Sequence, residues 1–175
     1  MKEIFSDAGM IRVWDSDVPV SMFQFNQEDV IQSSLMVSGE FFPGKIAIAV
    51  ESFFSSGPRV ICGLLGCTYE LMDCTELEVL TGFNDLSERC VGQNLTCSAG
   101  ECFLGLDRRS AQAVSSELSF RIENAAEEFC TGRIVINFAI FSEIGSSPNL
   151  FKALAASLVD ELVLKLKEMR VKDVG

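Results

Sequence analysis

Apolar and polar positions alternate along several stretches of this chain, and the alternation predicts strands. Ile11 and Val13 alternate with Arg12 and Trp14 until Asp15-Ser16-Asp17-Val18-Pro19 breaks the run. Phe23 and Phe25 alternate with Met22 and Gln24, and a polar turn follows at Asn26-Gln27-Glu28-Asp29. Ser33 to Glu51 reads as a β-hairpin. Leu35 and Val37 share one face of its first strand, Pro43 and Gly44 supply the turn, and Ile46, Ile48 and Val50 face one way on the return strand opposite Ala47 and Ala49. Further on, Leu118, Phe120 and Ile122 alternate with Ser119, Arg121 and Glu123. In the strand predicted over 133–141, Ile134, Ile136, Phe138 and Ile140 line one face. The stretch 105–116 reads as loop or a short strand.

Helical spacing marks three places. Ser55-Ser56-Gly57-Pro58 reads as a helix start, with Pro58 where its missing N–H is not needed, and the helix runs through Val60, Cys62, Leu64 and Leu65 to Gly66. Thr75 to Ala99 reads as one long helix opened by a Thr75/Glu78 capping box. Its apolar stripe is Leu77, Leu80, Phe83, Leu86, Cys90, Val91 and Leu95. Glu78, Asp85 and Glu88 collect on another side, with Asp85 and Glu88 as i, i+3 neighbours. Ser147 and Pro148 open a C-terminal helix whose core face is Leu150, Phe151, Leu154, Leu158, Leu162, Leu166 and Met169. Lys165, Lys167 and Arg170 complement the negative end of its dipole. The predicted fold class is α/β, an α+β sandwich in which a mainly antiparallel sheet carries helices on one side, in a single domain over 1–175. Apolar strands need their edges hidden, and pairing with a second copy predicts a homodimer.

Composition narrows the chemistry. With 25 acids against 14 bases the formal charge is −11, which argues against nucleic acid and against anionic membrane surfaces. No apolar run nears the roughly 18 residues of a membrane span, and the acids in the first nine residues do not suit a secretory leader, so the expected location is cytoplasmic. The absence of histidine excludes His-based acid–base catalysis, Ser-His-Asp triads and His-containing metal sites. The seven cysteines form no Cys-x-x-Cys pair and read as reduced, mostly buried thiols. Cys97 and Cys102 flank Ser-Ala-Gly-Glu closely enough to meet, although a cytosolic setting disfavours a disulfide there.

The order hairpin, short helix, long helix, strands resembles the chemotaxis phosphatases of the CheX and CheC group. The residues that carry the resemblance are Ser33 to Ser56, the Leu64-Leu65-Gly66 that follows, and Met72 to Leu80. The family turns from strand to strand through Gly-x-x-x-Gly, one residue narrower than Gly39 to Gly44 here, and Phe54, Ser55 and Ser56 match its helix start. Its long helix carries Glu-x-x-Asn with a Gly four residues after the Asn. Setting Gly92 on that Gly places Asp85 at the Glu position and Glu88 at the Asn position, with Asn84 one residue off register. The resemblance implies that Asp85 engages a lysine of a CheY-like receiver domain. The same alignment replaces the water-positioning amide with Glu88, a carboxylate that accepts hydrogen bonds but donates none. It therefore implies receiver binding with weak or lost aspartyl-phosphate phosphatase activity, and no cofactor beyond the Mg²⁺ that the receiver itself holds. The competing expectation is a non-catalytic dimeric adaptor or secretion-chaperone-like interaction protein.

Overall fold

The computed structural model describes residues 1–6, 9–92 and 94–173. In chain order the elements are β1 (Lys2–Ser6), β2 (Gly9–Asp15), β3 (Val30–Leu35), β4 (Gly44–Ser56), β5 (Arg59–Leu71), β6 (Leu77–Gly82), α1 (Leu95–Ser98), β7 (Cys102–Leu104), α2 (Arg108–Asn124), β8 (Gly132–Ser142) and α3 (Pro148–Asp173). The strands form one sheet in the order β1-β2-β4-β5-β8-β6-β3, and β7 adds to β8 off that path. Every pairing is antiparallel except β6 with β8. This is an α+β fold on a large, mixed, mostly antiparallel sheet with three helices. Among the described residues, no helix is long and apolar enough to cross a membrane.

The long hairpin of β4 and β5 is the middle of the sheet, in register from Ser56 opposite Arg59 to Gly44 opposite Leu71. Its turn is Gly57-Pro58, with Gly57 at φ +61°, a conformation that favours glycine in two-residue hairpin turns. On one face Ile46, Ile48, Val50, Leu65 and Tyr69 cluster with Leu118, Ile122, Leu154, Leu158 and Leu162 of the long helices. Full burial of such side chains contributes about 1.5–3 kcal/mol each. Helix α3 packs closely on the sheet at Gly63, where an added Cβ would lie 3.1 Å from Leu150, and at Gly44, where it would lie 2.7 Å from Met169. The other face carries a smaller cluster of Ala49, Leu64, Cys102, Phe138 and Ile140, against which Trp14, Val18, Cys90 and Cys97 pack.

Both faces of β8 are apolar because its side-chain alternation breaks. Gly66 and Cys67 of β5 are consecutive, yet they pair with Phe138 and Ile136, so Asn137 is an extra residue in a β-bulge. Before it, Ile134 and Ile136 point into the helix-side core; after it, Phe138 and Ile140 point into the smaller cluster. The four residues expected on one face of this strand are therefore split two and two.

Several expectations are corrected. Ser55 to Gly66 is the β4–β5 turn and half of β5, because Val60, Cys62 and Leu64 alternate at period two once Gly57 makes the turn. The hairpin expected at 33–51 does not form. β4 has β2 and β5 on its two edges, so β3 pairs instead with β6, while Ser38 and Gly39 donate to the carbonyls of Ala126 and Phe129. Phe23 and Phe25 lie in an extended loop, and the Phe23 N–H donates to the Asn137 carbonyl at the bulge.

The helix expected from Thr75 to Ala99 is strand β6, a loop and the four-residue α1. Leu77, Val79 and Thr81 are all buried at period two between β3 and β8, and Leu86 at φ +54° ends any regular run. Conversely, the strand expected at 118–124 is the second half of α2. Asp107 caps it by accepting from the Ser110 N–H at 2.7 Å, and Ala111, Val114, Leu118 and Ile122 form a buried stripe at spacings of three and four. The two long helices lie on one face of the sheet as expected, whereas α1 sits on the other.

The helical assignment of 108–124 has a direct test at Ser116, an exposed mid-helix position. Ser116→Pro is expected to destabilise the fold by about 3 kcal/mol or more, whereas Ser116→Ala stays within about 0.5 kcal/mol. Urea unfolding of the two variants measures the difference. A loop would tolerate both.

Candidate functional site

The structure brings Asn84, Asp85 and Glu88 together, on a loop rather than a helix. They line a polar hollow of about 540 Å³ with Gln24, Phe25, Asn26, Asp29 and Ser87. Asn84 is committed to the fold. Its backbone N–H donates to the Leu106 carbonyl at 3.0 Å, its Nδ2 to the Leu104 carbonyl at 3.0 Å, and its Oδ1 accepts from the Leu86 N–H at 3.3 Å. Gly105, at φ +116°, makes room for it, since a Cβ there would lie 2.1 Å from the Asn84 Oδ1.

The two acids are free of such work. Asp85 Oδ1 accepts from the Ser87 N–H at 3.2 Å in a local turn, and hydrogen bonds from Ser87 hold this exposed carboxyl below the usual carboxylate range. Glu88 uses its backbone carbonyl to accept from the Leu104 N–H at 2.8 Å and leaves its side chain exposed. Glu78, expected on the same helix face, lies on β6 and pairs with Arg133 and Gln32. The nearby Arg89 is paired with Glu101. With Asp29 as a third acid and no basic residue among the described residues that line it, the hollow has the chemistry to hold a cationic group. Among the described residues, no three potential ligands are placed to hold a metal ion.

Two further features were not anticipated from the sequence. Helices α2 and α3 enclose an open groove of about 760 Å³ on the surface turned away from the sheet. Val159 and Val163 lie in it, Phe120 and Leu164 stand 63% and 51% exposed beside it, and Arg121, Asp160, Glu127 and Glu128 edge it. Once 108–124 is a helix, Phe120 falls opposite the Leu118/Ile122 stripe, so the strand reading concealed this surface.

The second feature is Glu51, a fully buried acid on β4. Its Oε1 accepts from the Thr96 N–H at 2.9 Å and the Thr96 hydroxyl at 3.0 Å, while its Oε2 has no partner among the described residues. Burial raises its pKa, opposed by the Thr96 hydrogen bonds and the charge of Arg12. The readable signal was a lone acid inside the apolar run Ile46–Phe54.

Comparison of the chain with protein-family profiles, curated proteins and solved structures returns no match.

Asn84→Ala is expected to cost about 1–3 kcal/mol, because it strips partners from Leu104 and Leu86. Gly105→Ala should cost at least as much, whereas Asp85→Asn and Glu88→Gln stay within about 0.5 kcal/mol. Chemical denaturation ranks the four variants. Glu51 gives a pH dependence of defined sign. The folded-state value lies above the ordinary 4.5, so above that pH the unfolded chain releases the proton first and the folded state loses stability as pH rises. Glu51→Gln keeps an acceptor for Thr96 and removes the charge. It is expected to flatten this decline and raise stability near neutral pH, read from unfolding free energies across the pH range.

Proposed function

We propose that this chain is a non-catalytic interaction domain that works as a homodimer joined through the groove between α2 and α3. The observation that carries the proposal is the pair of large apolar side chains, Phe120 and Leu164, left exposed beside that groove. Covering them removes apolar surface from water, worth about 1.5–3 kcal/mol per fully buried side chain. The edge charges favour a second copy over a basic partner. Arg121 pairs with Asp160 at 3.4 Å and Lys167 with Glu128 at 2.7 Å, so both signs are present and largely neutralised where the surfaces would meet, despite the net −11 of the chain. A two-fold axis through the groove would set each chain's groove against the other's.

Light scattering across a wide concentration range tests this reading. The natural protein is expected at dimer mass, and Phe120→Glu or Leu164→Glu at monomer mass with an unchanged circular dichroism spectrum. A natural protein that stays monomeric at every concentration overturns it.

A second reading draws on Asp85 and Glu88, which stand exposed together on the polar hollow. It is binding of a CheY-like receiver domain, with little or no dephosphorylation of its aspartyl phosphate. The loop at 83–88 would offer the acids, in place of the helix that the family uses. A charge-assisted hydrogen bond from a receiver lysine to Asp85 would contribute about 1.5–3 kcal/mol. Titration calorimetry with a receiver from the same organism is expected to show binding that weakens at least about tenfold in the Asp85→Ala, Glu88→Ala double variant. No heat with either form removes this reading and leaves the dimer proposal standing.

A further inference from the structure

Two cysteines, Cys90 and Cys102, converge on Cys97 of α1, although the sequence separates the three by seven and five positions. Arg89 and Phe103 form an antiparallel bridge, and the Cys90 N–H donates to the Cys102 carbonyl at 2.8 Å, which sets Cys90 and Cys102 across from one another. Asn94 accepts from the Cys97 N–H at 2.8 Å and turns Cys97 back toward the same place. The Cys97 Sγ donates to the Cys90 carbonyl at 3.6 Å, and Cys90, Cys97 and Cys102 pack in the same small apolar cluster. All seven cysteines are free thiols, including the Cys97 and Cys102 pair considered from their spacing.

We propose that Cys97 is a peroxide-reactive thiol and that Cys90 resolves it, closing a Cys90–Cys97 disulfide that staples α1 to the loop after β6. In the first step the Cys97 thiolate attacks one peroxide oxygen. The O–O bond breaks, giving the Cys97 sulfenic acid and hydroxide. In the second step the Cys90 sulfur attacks the Cys97 sulfur, and the hydroxyl leaves as water with the Cys90 proton. In sum, two thiols and one hydrogen peroxide become one disulfide and two waters. A small dithiol reverses the reaction by thiol–disulfide exchange.

The surroundings assign these roles. Burial, with the neighbouring thiols, pushes Cys90 and Cys102 up to about 12, so both stay protonated at neutral pH. Cys102 is the poorer resolving thiol. It is 2% exposed and its Sγ donates to the Thr96 carbonyl at 3.2 Å, whereas Cys90 and Cys97 are both half-buried. The chain supplies its own control in Cys74, an exposed thiol whose Sγ donates to the Glu76 carbonyl and which has no cysteine in the cluster.

The test uses the full chain, a small excess of hydrogen peroxide, alkylation of the remaining thiols, and mass mapping. Cleavage after Arg89, Glu101 and Arg108 separates a peptide holding Cys90 and Cys97 from one holding Cys102. The first peptide is expected to lose about 2 Da and regain it with dithiothreitol, while Cys102 remains alkylated. Loss of free Cys97 should run about tenfold faster than loss of free Cys74. Cys90→Ser is expected to leave a sulfenic acid at Cys97 that dimedone labels. A Cys97–Cys102 link, a link between two chains, or Cys97 that reacts no faster than Cys74 overturns the proposal, and the mapping of the natural protein decides even where a variant fails to fold.

Discussion

Asn137 is one residue more than β5 can match, and the sheet is organised around that mismatch. The bulge turns the second half of β8 over, so Ile134 and Ile136 serve the helix side while Phe138 and Ile140 serve the other. It also divides the outer edge of β8. Strand β6 pairs as far as Ile136, and β7 resumes at Ile140. Between them the Asn137 and Ala139 carbonyls accept from the N–H groups of Phe23 and Gly105, and Asn137 Nδ2 donates to the Thr68 hydroxyl at 3.1 Å. The second apolar cluster, the anchored 20–25 loop and the position of Gly105 beside Asn84 all follow from this join.

Legibility in the sequence depended on whether a stretch had one competing period or two. α3 was readable because its stripe continues for five turns and nothing in it alternates at two. β2 and β4 were readable because alternation there meets no helical pattern. In Leu118–Glu123 the two periods coincide over six residues, and the deciding information lay upstream in the Asp107 cap and in Ala111 and Val114. Leu77–Leu80 presents the same ambiguity from the other side. Leu77, Val79 and Thr81 are buried by neighbours from β3 and β8 that local spacing does not reveal.

The candidate site was legible as a set of residues and not as a geometry. Asn84, Asp85 and Glu88 do share one hollow, but their proximity comes from a turn and from anchoring to the 104–106 backbone. A helical i, i+3 relation is absent. Glu51 and the three clustered thiols were visible only as a lone acid and as scattered cysteines. What unites them is cross-strand register and one side-chain cap, and neither leaves a periodic trace.

The single parallel pairing has a consequence for how the chain reaches this state. Strands β1, β2, β4 and β5 join through antiparallel pairings, and the β4–β5 half needs only a two-residue turn. β6 has no sheet to enter until β8 exists, and β3 reaches the sheet solely through β6. On a ribosome, then, the first half of the meander can assemble while β3 and β6 wait, their apolar faces open, for the synthesis of β8 some fifty residues later. The late-closing loop bears Asp85 and Glu88, so the polar hollow they line is among the last parts of the molecule to take shape.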